Sequence, residues 1–74
     1  MTPLDFFEKA PFGVRIRYGP NYPVIVVSFI VRNGRTKYAH GAEEKTGQSV
    51  FLILEKERVK DAKYGYFDSV ELVE

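Results

Sequence analysis

The chain has 74 residues, 45% apolar and 28% charged, with five tyrosines, six phenylalanines, no cysteine and a formal net charge of +1. That balance excludes a disordered, highly charged tail, a disulfide scaffold and thiolate metal sites, and so short a chain makes a single domain, 1–74. The longest apolar run, 24–31, is broken by Ser28 and falls far short of the ~20 residues of a membrane span. The opening MTPLDFFEKAPFG has no basic n-region and no continuous apolar stretch, so it does not read as a signal peptide. With the missing cysteines, this predicts a soluble, cytoplasmic protein.

Thr2-Pro3-Leu4-Asp5 predicts a helix start: Thr2 as N-cap, Pro3 where a missing N–H costs nothing, Asp5 at the positive end of the dipole. Pro11 stops the helix after about two turns. Leu4, Phe7 and Phe6 give it one apolar side, suited to plugging the open end of a sheet. Phe12 to Tyr18 alternates, with Val14, Ile16 and Tyr18 on one side and Arg15 and Arg17 on the other, as in a half-buried strand. Gly19 to Pro23 is turn chemistry. Residues 24–32 form an apolar, β-branched strand, and Asn33-Gly34 predicts a type I′ hairpin returning over 35–40.

His40 to Ser49 reads as a polar, mobile loop, and Val50 to Leu54 as a core strand. Glu55 to Lys63 is ambiguous. Its residues are helix formers with Gly65 as a stop, but a strand running to about Arg58 with a turn at 60–65 fits better. Phe67 to Val73 is the last strand. The fold class is mainly β, with α+β as the alternative: a small, strongly bent, five-stranded antiparallel sheet or barrel, SH3-like or OB-like, behind a short N-terminal helix.

Function is sought first in the charge. Residues 1–40 hold six Lys/Arg and two acids, a balance of +4; residues 41–74 hold five and eight, a balance of −3. With Asn33-Gly34 at the turn, Arg32 faces Arg35, Ile30 faces Lys37, Phe29 faces Tyr38 and Val27 faces His40. Ile25, Val27, Phe29, Val31, Thr36, Tyr38 and His40 then lie on the core face. Arg15, Arg17, Arg32, Arg35 and Lys37 share the other face, with Val24, Val26 and Ile30 among them. Arg32 opposite Arg35 is a like-charge pair, which points to an anionic partner; the competing explanation is a hydrated hairpin tip whose charges protect a sheet edge.

Other chemistry is thin. There is no glycine-rich phosphate loop, His40 is the only histidine, which argues against a metal site, and Ser28, Ser49 and Ser69 have no visible base. The chain reads as a non-enzyme without cofactor. Tyr64, Tyr66 and Phe67 form an aromatic group of the kind that, exposed beside cations, stacks on bases, although core packing accounts for them as well. Scarce amides and sulfur (Asn21, Asn33, Gln48, Met1) match the depletion of thermolabile residues in thermophile proteins.

Tyr22-Pro23-Val24 followed by Tyr38-Ala39-His40-Gly41 resembles, in order and rough spacing, a strand pair of the filamentous-phage single-stranded DNA-binding proteins. The match covers under a third of the chain, and that family's long basic wing has no counterpart before residue 22. The outline is also similar to the small basic SH3-like chromatin proteins of thermophilic archaea, without a shared motif.

The first functional expectation is therefore a nucleic-acid-binding module gripping phosphates with Arg15, Arg17, Arg32, Arg35 and Lys37, and stacking on Tyr64 and Tyr66. Five phosphate contacts predict a log K against log salt slope of about −4.5 on duplex, or about −3.5 on single strands. The alternative is a protein-interaction or assembly module, either a homodimer through Val24, Val26 and Ile30 or a viral or plasmid-borne inhibitor of a host protein.

Overall fold

The structure, a computed structural model, describes residues 1–32 and 36–74. Thr2 is extended, and its hydroxyl accepts from the Asp5 N–H at 3.2 Å, capping helix α1 (Pro3–Lys9). Ala10 is extended again ahead of Pro11, so the helix ends where the sequence places its stop. Phe6 and Phe7 are fully buried, edge-on at 5.0 Å, and pin α1 to the sheet.

Seven strands follow: β1 (Arg15–Arg17), β2 (Ile25–Val31), β3 (Tyr38–Glu43), β4 (Ser49–Glu55), β5 (Arg58–Asp61), β6 (Gly65–Phe67) and β7 (Glu71–Leu72). All ladders are antiparallel, in the order β6-β5-β4-β3-β2-β1-β7. The two edge strands are separated in sequence only by 68–70, which spans at most ~14 Å. The sheet is therefore strongly curled, a small barrel-like fold. Alternating directions make β6 and β7 run the same way, so 65–72 is one passage, bent at Asp68, that leaves β5 and joins β1. On the way, Val70 and Met1 exchange backbone hydrogen bonds of 2.9 and 3.0 Å. Across the seam Tyr18 stacks on Phe67 with ring centres 4.0 Å apart.

The core is lined by Phe6, Phe7, Ile16, Ile25, Val27, Ile30, Leu52, Val59 and Val70. Ile16, Ile25 and Val27 sit as the alternation predicts; Phe29 does not. A bulge between Val27 and Phe29 inserts one residue, so Val27 faces Gly41 whereas Phe29 faces His40, Ile30 faces Ala39 and Val31 faces Tyr38. The expected pairings of Phe29 with Tyr38, Val27 with His40 and Ile30 with Lys37 are corrected accordingly. Beyond the bulge the faces exchange, burying Ile30 and exposing Phe29. Gly41 allows this approach, because a Cβ there would collide with the Val26 carbonyl oxygen. The Asn33-Gly34 turn lies outside the described residues.

Three further corrections change the strands: β3 is longer than expected, 55–63 yields β5, and the expected last strand, 67–73, divides into β6 and β7, so the described residues hold seven strands where five were expected. Residues 40–43 continue β3, leaving a turn at 44–48 tied by Gly47 N–H to Glu43 O and Glu43 N–H to Gln48 O. In 55–63 the helix alternative fails; the turn expected within 60–65 is present at 62–64, and an additional one precedes it at Lys56-Glu57, both with positive φ (51° and 64°), between paired Glu55 and Arg58. The second turn, 62–64, hangs on the Asp61 carboxylate, which accepts from the N–H groups of Lys63 and Tyr64 at 2.7 and 3.0 Å.

Candidate functional site

The bulge decides where the candidate cations point. Arg15 and Arg17 lie on the outer face as expected. Arg15 forks onto the Glu44 carboxylate at 2.9–3.0 Å and donates to the Glu74 carbonyl at 3.2 Å. Arg17 donates to Glu71 at 2.7 and 3.0 Å, and the bond to that carboxylate, then its charge, raises the guanidinium's pKa above its ordinary value. Arg32 turns the other way. Its Nε and Nη2 donate to the Phe7 and Ala10 carbonyls at 2.7 and 2.6 Å, closing the end of α1. Lys37 falls by alternation on the side of buried Ala39, and its carbonyl accepts from Leu54. Arg35 lies outside the described residues. The single face of five cations expected from the sequence is not assembled, because the inserted residue inverts parity between Arg17 and Arg32.

Tyr64 and Tyr66 also part. The Tyr64 hydroxyl donates to Glu43 at 3.3 Å, and its ring stands edge-on to Tyr22 at 5.6 Å. The Lys63 ammonium bonds the same Glu43 at 3.2 Å, which, with its bond to Tyr64, raises the lysine pKa. Beneath lies Asp61, 2% exposed, accepting from the Tyr18 hydroxyl. Burial, then that hydrogen bond, pushes the Tyr18 pKa far above its ordinary value. Tyr18, Glu43 and Asp61 bury the base of this cluster, while Tyr64 is half-buried and the Lys63 side chain is exposed. Tyr66 is on the outer face, with the Arg58 guanidinium 4.9 Å and the Lys60 ammonium 5.8 Å from its ring centre.

Around Tyr66 the strand register lays out side chains in rows. One row runs Val31, Tyr38, Ile53, Lys60, Tyr66 across β2 to β6. The next is Phe29, His40, Phe51. A third is Arg15, Val26, Ala42, Ser49. Phe29 stacks on His40 at 5.4 Å and Tyr38 leans on Phe51 at 5.3 Å. Phe29, Phe51 and Tyr66 are 42%, 40% and 43% exposed. Five aromatic rings thus occupy adjacent rows of one sheet face, with cations at both ends. Lys60 makes no ion pair with any described residue, while Arg58 reaches Asp68 at 2.9 Å.

Phe29, Tyr38 and His40, expected on the core face, and Phe51, Arg58 and Lys60 are the outer-face residues that sequence reasoning missed. Their signal was present in β4: Val50, Leu52 and Leu54 alternate with Phe51 and Ile53, and a small barrel has room inside for only one of those sets. Ile30, expected outside with Val24 and Val26 as a dimer patch, is 6% exposed in the core, and the two valines are half-buried. Among the described residues no group of three His, Cys, Asp or Glu converges, and no helix is long and apolar enough to cross a membrane. Comparison of the chain with protein-family models, with curated proteins and with solved structures gives no match.

Proposed function

We propose that the protein is a single-stranded nucleic-acid-binding module whose bases stack on the outer face of the curled sheet. The observation that supports this is the exposure of Phe29, Phe51 and Tyr66 in adjacent rows with His40 and Tyr38 between them. Every base presents a π face to such a platform, which makes binding tolerant of sequence. Lys60 and Arg58 at one end and the β1 arginines at the other meet phosphates. Duplex DNA hides its base faces, so it binds more weakly than a single strand.

The test is a fluorescence-anisotropy titration of a labelled oligothymidylate at two salt concentrations. Phe51→Ala and Phe29→Ala should each weaken binding by about 5- to 150-fold, the cost of about 1–3 kcal/mol for one lost stacking partner. Two to four phosphate contacts give a log–log salt slope of about −1.4 to −2.8, shallower than five cations require. No anisotropy change at low salt with protein in large excess would end the proposal.

A second reading has its own observation. The outer-face arginines Arg15, Arg17 and Arg58 are each matched by an acid, Glu44, Glu71 and Asp68, so a nearly neutral aromatic surface fits a second copy of the chain. Light scattering that shows mass rising with concentration, and falling back to a monomer in Phe51→Ala, would favour it.

A further inference from the structure

Past the third row, the outer face ends in a cleft of about 460 Å³ walled by Arg15, Arg17, Asn21, Tyr22, Glu44 and Lys45. We propose that this cleft is a phosphate subsite, which takes the terminal phosphate of a strand lying on the aromatic rows; only the source of the phosphate rests on the nucleic-acid proposal.

Three cations against one acid line the cleft. Its wall is fixed in advance. The Tyr22 ring stands edge-on to Tyr18, Tyr64 and Phe67 at 5.9, 5.6 and 5.0 Å, and the Tyr22 N–H bonds the Gly19 carbonyl at 3.1 Å. Pro20 and Pro23 restrict the backbone on either side. The two guanidinium groups come from alternate residues of one strand, so their Cα atoms are about 7 Å apart on the same face. A carboxylate has two oxygens, and Glu44 commits both to Arg15. A phosphate monoester has three free oxygens and engages both forks at once.

The carboxylates now holding the arginines are partly exposed, and such pairs contribute at most about 1 kcal/mol. Phosphate therefore displaces them at small cost. Arg17 lies two rows, about 13 Å along the strand direction, from the Phe29–His40–Phe51 row. A chain end in the cleft thus continues directly onto the rings.

The experiment is an NMR titration of the folded protein with inorganic phosphate against chloride at equal ionic strength, following the Nε–H signals of Arg15 and Arg17 and the Tyr22 amide. Saturable shifts at all three are expected. Arg17→Ala abolishes them, Lys45→Ala on the exposed turn weakens them, and Glu71→Gln, which removes a competitor, tightens binding about 2- to 5-fold. Linear shifts equal to those in chloride, or shifts that persist in both Arg17→Ala and Lys45→Ala, overturn the subsite.

A second arm compares oligothymidylates with and without terminal phosphate. Tighter binding of the phosphorylated strand, lost in Arg17→Ala, supports the terminal-phosphate assignment. Saturation by inorganic phosphate with no oligonucleotide bound keeps the subsite for a free phosphate and overturns the nucleic-acid proposal. Oligonucleotide binding indifferent to the terminal phosphate, without inorganic phosphate saturation, overturns the subsite and leaves the stacking platform standing.

Discussion

Arg32 shows how a single side chain can be read for the wrong purpose. Its charge at a hairpin end suggests phosphate, yet its guanidinium closes two carbonyls of α1. Arg32→Met should lower stability by about 1.5–3 kcal/mol, the usual loss for a charged hydrogen-bonding group. The same variant should leave the oligonucleotide affinity of the folded protein unchanged, and denaturant melts beside anisotropy titrations check both. Tyr18 sets the alkaline limit. The folded state raises the pKa of Tyr18 and of Lys63, so it binds protons more tightly than the unfolded chain. That contribution is complete below the ordinary values near 10 and is lost as pH rises above them. Stability should decline from about pH 10 upward, and the decline should be shallower in Tyr18→Phe. At neutral pH that variant loses about 1–3 kcal/mol, because Asp61 loses a buried donor.

At the scale of elements, two devices carry the sheet and neither announces itself. The β4–β5 turn places Lys56 and Glu57 at positive φ, a region that costs L-residues about 1–2 kcal/mol each. Replacing them with Asn-Gly should raise stability by about 1 kcal/mol, visible as a higher melting temperature. At the bulge, Gly41→Ala meets the Val26 backbone, which cannot move aside cheaply; a loss near the top of the usual 1–3 kcal/mol for overpacking is expected in urea melts.

These two sites also mark where the sequence stops being legible. Thr2, Pro3 and Pro11 define α1 because caps and prolines act locally, and Val14, Ile16 and Tyr18 reveal β1 because only one parity is apolar. Residues 24–31 are apolar at both parities, so the pattern satisfies either register and hides an inserted residue at Ser28. Lys56 and Glu57 are helix formers; pairing of Leu54 with Val59 overrides that preference. The candidate site inherited both failures. Arg15 and Arg17 lie before the bulge and were placed correctly, whereas Phe29 and Arg32 lie beyond it and exchanged sides.

For the whole molecule, the passage 65–72 matters most, since it joins one sheet edge to the other. Val70, buried midway, holds it against the core. Val70→Ala should cost about 2 kcal/mol in methyl burial and residual cavity, and should weaken oligonucleotide binding only in so far as the fold is lost. The aromatic rows lie on β2 to β6 and the phosphate cleft on β1, the turn that follows it and the 44–48 turn. Both therefore depend on how far the sheet curls.

The seam that this passage covers is held by rings and isolated backbone bonds instead of a continuous ladder, and its strands are three and two residues long. Amide protons of Phe67, Val70 and Val73 should therefore exchange with deuterium through a partial opening. Those of Val27, Ala39 and Leu52, in the long central strands, should wait for global unfolding. The molecule would then come apart as a cuff unfastens, along one line, with the central strands still interlocked.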